Sequence, residues 1–468
     1  MSGQHQLPGT TLRERTSRAV ADPVLRQRTR RAVDRFGLGR LMALDAVEDA
    51  DGLRRAARAV KAEVLADLPA VLERLADRLA ANGVSVHWAT DAADANAHIA
   101  AIAARRGRAT VVKSKSMATE ETGLNDALEA AGCRVVETDL GEWIVQLARE
   151  TPSHLIAPAL HHDRHSVADL FERTTGAAGV AAVPEELNAW ARARLREEFL
   201  RADVGVTGVN FAVAETGSLV LVTNEGNGRM VTTLPPVHVA VLGMERVVAT
   251  WDQLDLLLGL LGRSASGQWL TSYTTVLTGP RREGEVDGPE ESHVVILDNG
   301  RSDILGGEYH EMLACIRCGA CLNTCPVYRQ VGGHSYGWVY SGPMGAVLTP
   351  LLARQYEEAA EVADASTLCG ACMDACPVGI PLQDLLLGLR RDKAAGAPLA
   401  RRAAWRAWSA AWSSPAGYRA TTRGAAAGSR LLGPVAGRLP VARAWSHGRS
   451  LPTPARRRFR DRWAAGDV

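Results

Sequence analysis

Seven of the eight cysteines lie between positions 315 and 376, and their spacing restricts the chain more tightly than any propensity does. The first run is Cys315-Ile-Arg-Cys318-Gly-Ala-Cys321-Leu-Asn-Thr-Cys325-Pro326, or C-x2-C-x2-C-x3-C-P. The second, Cys369-Gly-Ala-Cys372-Met-Asp-Ala-Cys376-Pro377, repeats it without the leading cysteine, whose place Ser366 holds. Two residues between thiolates let a tight turn set three sulfurs on three corners of one cube. In two-cluster proteins the cysteine before proline ligates the other cluster. The pattern therefore predicts one 4Fe-4S cluster on Cys315, Cys318, Cys321 and Cys376, and a second on Cys325, Cys369 and Cys372. The last corner of the second falls to Ser366, to solvent, or to no iron at all, as in a 3Fe-4S cluster. Zinc needs neither the triple C-x2-C repeat nor the following prolines. A disulfide framework is disfavoured, because MSGQHQLPGTTLRERTSRAV has no apolar segment of a secretory signal. Cys133, after Ala-Ala-Gly, reads as a buried structural thiol.

The segment between the runs (326–368) holds a Gly-rich loop, Val331-Gly-Gly-His-Ser-Tyr-Gly-Trp-Val-Tyr-Ser-Gly342, and a helical stretch over about 345–365. A further helix is expected from Pro381, with Leu382, Leu385, Leu386 and Leu389 on one stripe. These features predict an α-helical ferredoxin-like module rather than a compact β-ferredoxin. His310 and His334 lie near the cysteines, where orienting or loop roles are favoured over ligation. No phosphate or dinucleotide motif is visible: G-x-G-x-x-G fails at Gly37-Leu-Gly39, where Met42 takes the third place. Clusters without a visible hydride acceptor point to an electron conduit.

The N-terminal half alternates strands with helices, the mark of a parallel sheet covered by helices. Residues 10–82 are helical in pattern, followed by strands at 84–88, 109–113 and 133–137 and helices at 92–105 and 119–131. Lys113-Ser-Lys115-Ser116 joins a strand to a helix whose first turn holds Glu120 and Glu121. Two lysines there suit an anion; the alternative is that both are solvated and Ser116 or Thr119 caps the helix. Two apolar strands flank the turn 215–218, and a second polar turn, 224–228, closes the far end of the hairpin. Glu215 is either a site carboxylate or an exposed turn residue. The Gly/Pro-rich segment 279–289 is a loop before a last strand at 293–297.

Charge is unevenly spread. Residues 401–468 carry 14 arginines against Asp461 and Asp467, or +12, while the whole chain is only +2. Trp405, Trp408 and Trp412 recur at helical spacing beside Arg401, Arg402 and Arg406. That combination suits docking to an acidic companion, packing back onto the cysteine module, or peripheral membrane contact. Nucleic acid is not expected, since no groove-reading motif is present. No run of 18 or more uncharged apolar residues exists to span a membrane.

With these residues assembled, the chain resembles the lactate-utilisation iron–sulfur protein family (LutB/YkgF-like) over nearly its whole length. The most specific parts are Val111-Val-Lys-Ser-Lys-Ser-Met117, Glu137-Thr-Asp-Leu-Gly-Glu-Trp-Ile-Val-Gln146, Pro152-Ser-His-Leu-Ile-Ala-Pro158, Ala214-Glu-Thr-Gly-Ser218 and both cysteine runs. The seven-cysteine pattern is itself family-like. The resemblance implies an α/β LUD domain, similar to sugar-phosphate isomerases and CoA-transferases, followed by the helical ferredoxin-like domain. The expected division is an N-terminal helical segment at 1–69, the LUD domain at 70–300, the iron–sulfur domain at 301–397 and a basic extension at 398–468. It also implies LutA-like and LutC-like companion subunits, a cytoplasmic location, and an electron-transfer role in oxidising L-lactate to pyruvate, with the electron acceptor unassigned. The rivals are another 2-hydroxy acid, such as glycolate, and a LUD-domain transferase or isomerase with Glu215 catalytic and structural clusters.

Overall fold

The computed structural model describes residues 9–176, 179–354, 356–432, 455 and 457–467. It divides into two units, Met1–Arg390 and Arg391–Val468.

The first unit opens with four helices, Leu12–Ala21, Pro23–Asp45, Ala50–Ala66 and Leu68–Ala81. Their starts are written in the sequence. Thr11 and Glu14 form a capping box, Asp22 accepts from the amides of Val24 and Leu25 ahead of Pro23, and Asp49 accepts from the Gly52 amide. The fourth helix buries Leu68, Val71, Leu72, Leu75 and Leu79, spaced three and four apart so that they share one face.

Ten strands follow: β1 (Ser85–Ala89), β2 (Thr110–Lys113), β3 (Arg134–Glu137), β4 (Val204–Gly208), β5 (Phe211–Val213), β6 (Ser218–Thr223), β7 (Val237–Gly243), β8 (Val247–Val248), β9 (Tyr273–Leu277) and β10 (Glu291–Leu297). Six form a parallel sheet in the order β1-β10-β7-β4-β2-β3. The others form a mixed sheet, β8-β5-β6-β9, built on the β5–β6 hairpin. Successive side chains on a strand point to opposite faces, and the cores divide accordingly. Val111, Val135, Val239 and Val295 pack on one face of the parallel sheet. Their neighbours Val112 and Val136 join Trp143, Phe171 and Phe199 on the other. Ala240, Leu242, Val294 and Ile296 enter a third core, shared with the mixed sheet, the N-terminal helices and the cysteine module.

Two expectations need correction. The single helix over 119–131 is two, Met117–Thr122 and Leu124–Ala130, because Gly123 adopts φ 65° and ends the first. The stretch over 345–365 is an α-helix, Gly342–Leu352, and a separate 3-10 helix, Glu357–Asp364. The helix Leu382–Ala395 forms as expected and buries all four stripe leucines. Segment 279–289 holds no helix or strand.

The second unit carries the helices Leu399–Trp412, Pro415–Leu432 and Phe459–Ala464. The first of these buries no residue. Arg458 links the others, donating to the Arg419 carbonyl (3.1 Å) and pairing with Asp461. Among the described residues, no helix is long and apolar enough to cross a membrane.

Candidate iron–sulfur centre and adjoining cavity

The two cysteine runs fold alike. In the first, Arg317 (φ 59°) and Gly319 (φ 79°) both enter the left-handed region around Cys318, and a short helix, Ala320–Thr324, follows. In the second, Leu368 (φ 56°) and Gly370 (φ 84°) do the same around Cys369, before the helix Ala371–Ala375. Glycine after the cysteine tolerates that backbone without a Cβ clash. The two helices touch, with Thr324 Oγ1 donating to the Ala371 carbonyl (3.4 Å).

This packing crosses the runs. Cys315, Cys318, Cys321 and Cys376 line one small cavity, walled by apolar groups such as Ile316, Met344, Val378 and Ile380. Cys325, Cys369 and Cys372 line a second, with Ser366, Thr367 and Gln383 completing its polar rim. Backbone amides aim at the sulfurs: Arg317 N at Cys315 (3.4 Å), Ile380 N at Cys376 (3.4 Å) and Tyr328 N at Cys325 (3.5 Å). Burial pushes the Cys318 thiol up to about 12 and the Cys372 thiol up to about 11. Such thiols ionise only against a cation held among them. Clustered soft sulfurs, an apolar lining and N–H donors form a donor set that fits iron–sulfur ligation.

The first cavity also has a cationic surround. Arg54 donates to the Cys376 carbonyl (3.0 Å) and Arg246 to that of Cys315 (2.9 Å). His310 and His334 instead bond the carbonyls of Gly307 (3.1 Å) and Thr151 (2.7 Å), and neither lines a cysteine cavity, so they serve the loops. Cys133 is buried in the parallel-sheet core, as expected of a structural thiol.

A larger cavity, of about 560 Å³, opens at the carboxyl ends of the parallel strands. Ser114–Ser116 after β2, Asp139 after β3, Val209 and Asn210 after β4, Glu245 and Arg246 after β7, and Arg301 after β10 all line it. The cysteine module supplies Arg317, Cys318 and Tyr340, so Cys318 lines both this cavity and the first cysteine cavity. Arg301 is 2% exposed and binds Glu121 through both Nη atoms (2.8 Å each) and Glu245 through Nε (2.7 Å). Arg317 approaches Glu245 (3.2 Å) and lies over the Tyr340 ring (5.0 Å). Beside these guanidiniums the Glu245 carboxyl is held down at about 2 despite its burial.

Family models match the chain in three places: a LUD domain over residues 72–297, a 4Fe-4S dicluster domain over 311–380, and the C-terminal part of lactate utilisation protein B over 388–467. Curated relatives, each called lactate utilization protein B, span almost the whole chain. That of Bacillus licheniformis is 46% identical over 456 residues, covering 96% of this chain and 95% of the relative. That of Shouchella clausii is 47% identical with the same coverage, and that of Bacillus subtilis strain 168 is 45% identical over 97% of this chain and 95% of its own. The chain belongs to the lactate utilization protein B family. A crystal structure of a DUF162 family protein from Deinococcus radiodurans, 17% identical, covers 49% of this chain and 98% of its own at a TM-score of 0.28, a superposition too poor to bear on the fold.

In this lactate utilization protein B family member, three sequence expectations change or narrow. Lys113 is neither solvated nor free for an outside anion. It is fully buried and bonds Glu137 (2.7 Å) and Asn125 (2.7 Å), with Glu120 at 3.5 Å. Lys115 stays on the cavity wall, but Glu142 takes its ammonium. Ser116 caps the helix, accepting from the Thr119 amide (3.3 Å). Glu215 is exposed and absent from the cavity lining; its carboxylate accepts from the Trp251 amide (3.2 Å) at the start of the helix Trp251–Ala265. The second polar turn does reach the cavity, through Asn224, Glu225 and Asn227. Sequence reading missed Arg246, Arg301, Arg317 and Tyr340. Only Arg317 carried a local signal, as the one cationic residue within the cysteine runs.

Proposed function

We propose that this chain is the iron–sulfur electron-transfer subunit of an assembly that oxidises L-lactate to pyruvate. In this reading Cys315, Cys318, Cys321 and Cys376 hold one 4Fe-4S cluster. Cys325, Cys369 and Cys372 hold the other, whose last corner is Ser366, solvent or vacant. The observation that carries the reading is the crossed pairing of the runs into adjacent cysteine cavities beside a cavity of the LUD domain. When bound, such clusters relay single electrons. The chain's own contribution is to position them. Gly319 and Gly370 shape the turns, the amides of Arg317, Tyr328 and Ile380 hold the sulfurs, and the apolar lining keeps water from the buried thiolates.

Companions of the LutA and LutC kinds supply the substrate oxidation, and the assembly works in the cytoplasm. Support for these partners is the relatives' shared name and the length over which they match. The transferase or isomerase alternative loses its residue, because Glu215 lies outside the cavity.

The test is anaerobic purification with iron and sulfide counting and electron paramagnetic resonance, followed by mixing with both companions. L-lactate should reduce the clusters in the full mixture and not in the isolated chain. Reduction by glycolate in preference to L-lactate would move the assignment to another 2-hydroxy acid, and no reduction by either would reject electron transfer from this substrate class.

A further inference from the structure

We propose that the cavity at the carboxyl ends of the parallel strands binds an elongated organic anion. Its anionic head is taken by Arg246 and Arg317 against Cys318, and its hydroxyl-bearing tail reaches Asn227. The site takes a ligand beyond the electron relay, and only its placement beside a cluster rests on the ligand assignment made above.

The head end follows from charge. Arg301 is saturated by Glu121 and Glu245. Arg246 makes no ion pair among the described residues; it meets the Cys315 carbonyl (2.9 Å) and the face of Phe211 (5.0 Å). The Arg317 side chain is only 11% exposed and shares Glu245 through Nη2, while its Nη1 has no partner. Guanidiniums buried without enough carboxylate attract an anion, and a guanidinium edge suits the paired oxygens of a carboxylate or phosphate.

The tail end has the opposite character. Asp139 and Glu225 line it, and so does Asn227, 7% exposed, whose Oδ1 is an acceptor without a donor. An acceptor-rich end calls for ligand O–H or N–H groups. Sheet order fixes the separation. Arg246 follows β7 and Asp139 follows β3, with β4 and β2 between them. Three strand spacings are about 14 Å. A three-carbon acid does not bridge that span, whereas a volume of about 560 Å³ is within the usual range for small-molecule sites. Between the ends the lining mixes apolar groups, including Leu155, Val209, Leu221 and Val241, with the polar Ser114, Ser116 and Asn210. Ligands of open parallel sheets commonly sit at this edge.

The competing explanation is that Arg246 and Arg317 only offset the negative charge of the cluster on Cys315, Cys318, Cys321 and Cys376. Calorimetric titration of the anaerobic holo-protein separates the two, with iron and sulfide counted on every sample so that cluster loss is read independently. The probes are propionate and gluconate for a carboxylate head, and inorganic phosphate and sorbitol 6-phosphate for a phosphate head. Within the pair of the correct head, the tailed probe should bind at least tenfold more tightly than its fragment. Arg317→Met should weaken both members tenfold or more, and Asn227→Ala should remove only the advantage of the tail. The bound probe should perturb the electron paramagnetic resonance signal of one cluster and leave the other unchanged. Absence of binding by all four probes at 10 mM with clusters intact, or binding unchanged in Arg317→Met with clusters intact, would overturn the proposal.

Discussion

Replacing Arg301 with methionine tests how the LUD sheet is fastened to the cysteine module. Arg301 follows β10 and gathers Glu121, from the helix after β2, and Glu245, from the turn after β7. Tyr340 of the cysteine module donates to the same Glu121 (2.7 Å), and Arg317 to the same Glu245. Methionine keeps most of the volume and removes three hydrogen bonds to carboxylates and a fourth to the Asp298 carbonyl. Removing one partner of a buried ion pair costs about 3–5 kcal/mol, because the other charge is left without compensation. Glu121 would retain Asn299 (2.7 Å) and Tyr340, and Glu245 would retain Arg317, so about 4 kcal/mol is expected rather than the sum of two losses. Unfolding entropy of about 2.1 cal/mol/K per residue over a unit of about 390 residues gives roughly 0.8 kcal/mol/K. The expected fall in melting temperature is therefore about 5 °C, read by anaerobic scanning calorimetry. The double variant Arg301→Met, Glu121→Gln should recover part of it, since a neutral amide needs no counter-charge. A single variant melting within about 1 °C of the parent would refute the reasoning, as would a double variant less stable than the single one.

Three further outcomes are expected. Ser366→Cys supplies the missing thiolate at the rim of the second cysteine cavity and should raise oxygen tolerance and iron content toward two complete 4Fe-4S clusters; two identical four-iron signals in the unaltered protein would contradict the assigned ligand sets. Burial holds the His238 imidazole down at about 4, so between about 6.5 and 4 the unfolded chain takes up a proton that the folded chain refuses, and stability falls as pH falls through that window. The share of the pH 7 to pH 5 change that His238 carries should be about 2 kcal/mol, read as the difference between the parent and His238→Gln in denaturant midpoints at both pH values. Deleting 398–468 should leave iron content unchanged but slow electron transfer to the companions, with rates in the intact protein falling steeply with salt; salt-independent transfer would remove docking by the arginine-rich extension.

What the sequence disclosed depended on how local the cause was. Four of the six parallel strands, β1, β2, β3 and β10, were legible as short apolar runs bounded by turn residues, whereas the central pair, β4 and β7, was not read. The module's helix from Leu382 was legible from leucine spacing. The break at Gly123 was not, because a glycine within a helical pattern reads as tolerated until its φ is known. The cavity was hidden for a different reason. Its walls come from the ends of five strands and from the Cys315–Cys318 turn, separated by up to about 200 residues, and nothing in a linear pattern brings Arg246 beside Arg317. Lys113 and Lys115 were visible as a cationic loop, yet their partners Glu137 and Glu142 sit more than twenty positions downstream, on the neighbouring strand and the helix after it. Spacing indicates which groups are available; the fold decides whether they are already spent on each other. Trp405, Trp408 and Trp412 show the converse. Their helical spacing was legible, and they do touch one another, Trp405 edge-on to Trp408 and Trp408 tilted against Trp412, at centroid distances of 5.7 and 5.2 Å, but remain 46–60% exposed.

The two cysteine sets sit in different surroundings, and in the proposed relay that difference would set an order. Cys318, Cys321 and Cys376 are buried, with Arg54 and Arg246 on the carbonyls of Cys376 and Cys315 and the LUD cavity on the other side of Cys318. Cys369 is exposed, and the second set has Ser366, Thr367 and Gln383 at its rim, with Arg390 on the Ser366 carbonyl (2.7 Å). Nearby cations stabilise the extra negative charge of a reduced cluster, whereas exposure gives an outside redox partner a short path to the sulfur. On the proposed ligand sets, an electron originating at the cavity meets the buried set first, and the exposed set is where it leaves. The crossed cysteines then have a mechanical consequence. Cys376 and Cys325 each tie one run to the other's set, so any displacement of the short helices Ala320–Thr324 and Ala371–Ala375 would move both sets together and hold the spacing between entry and exit constant.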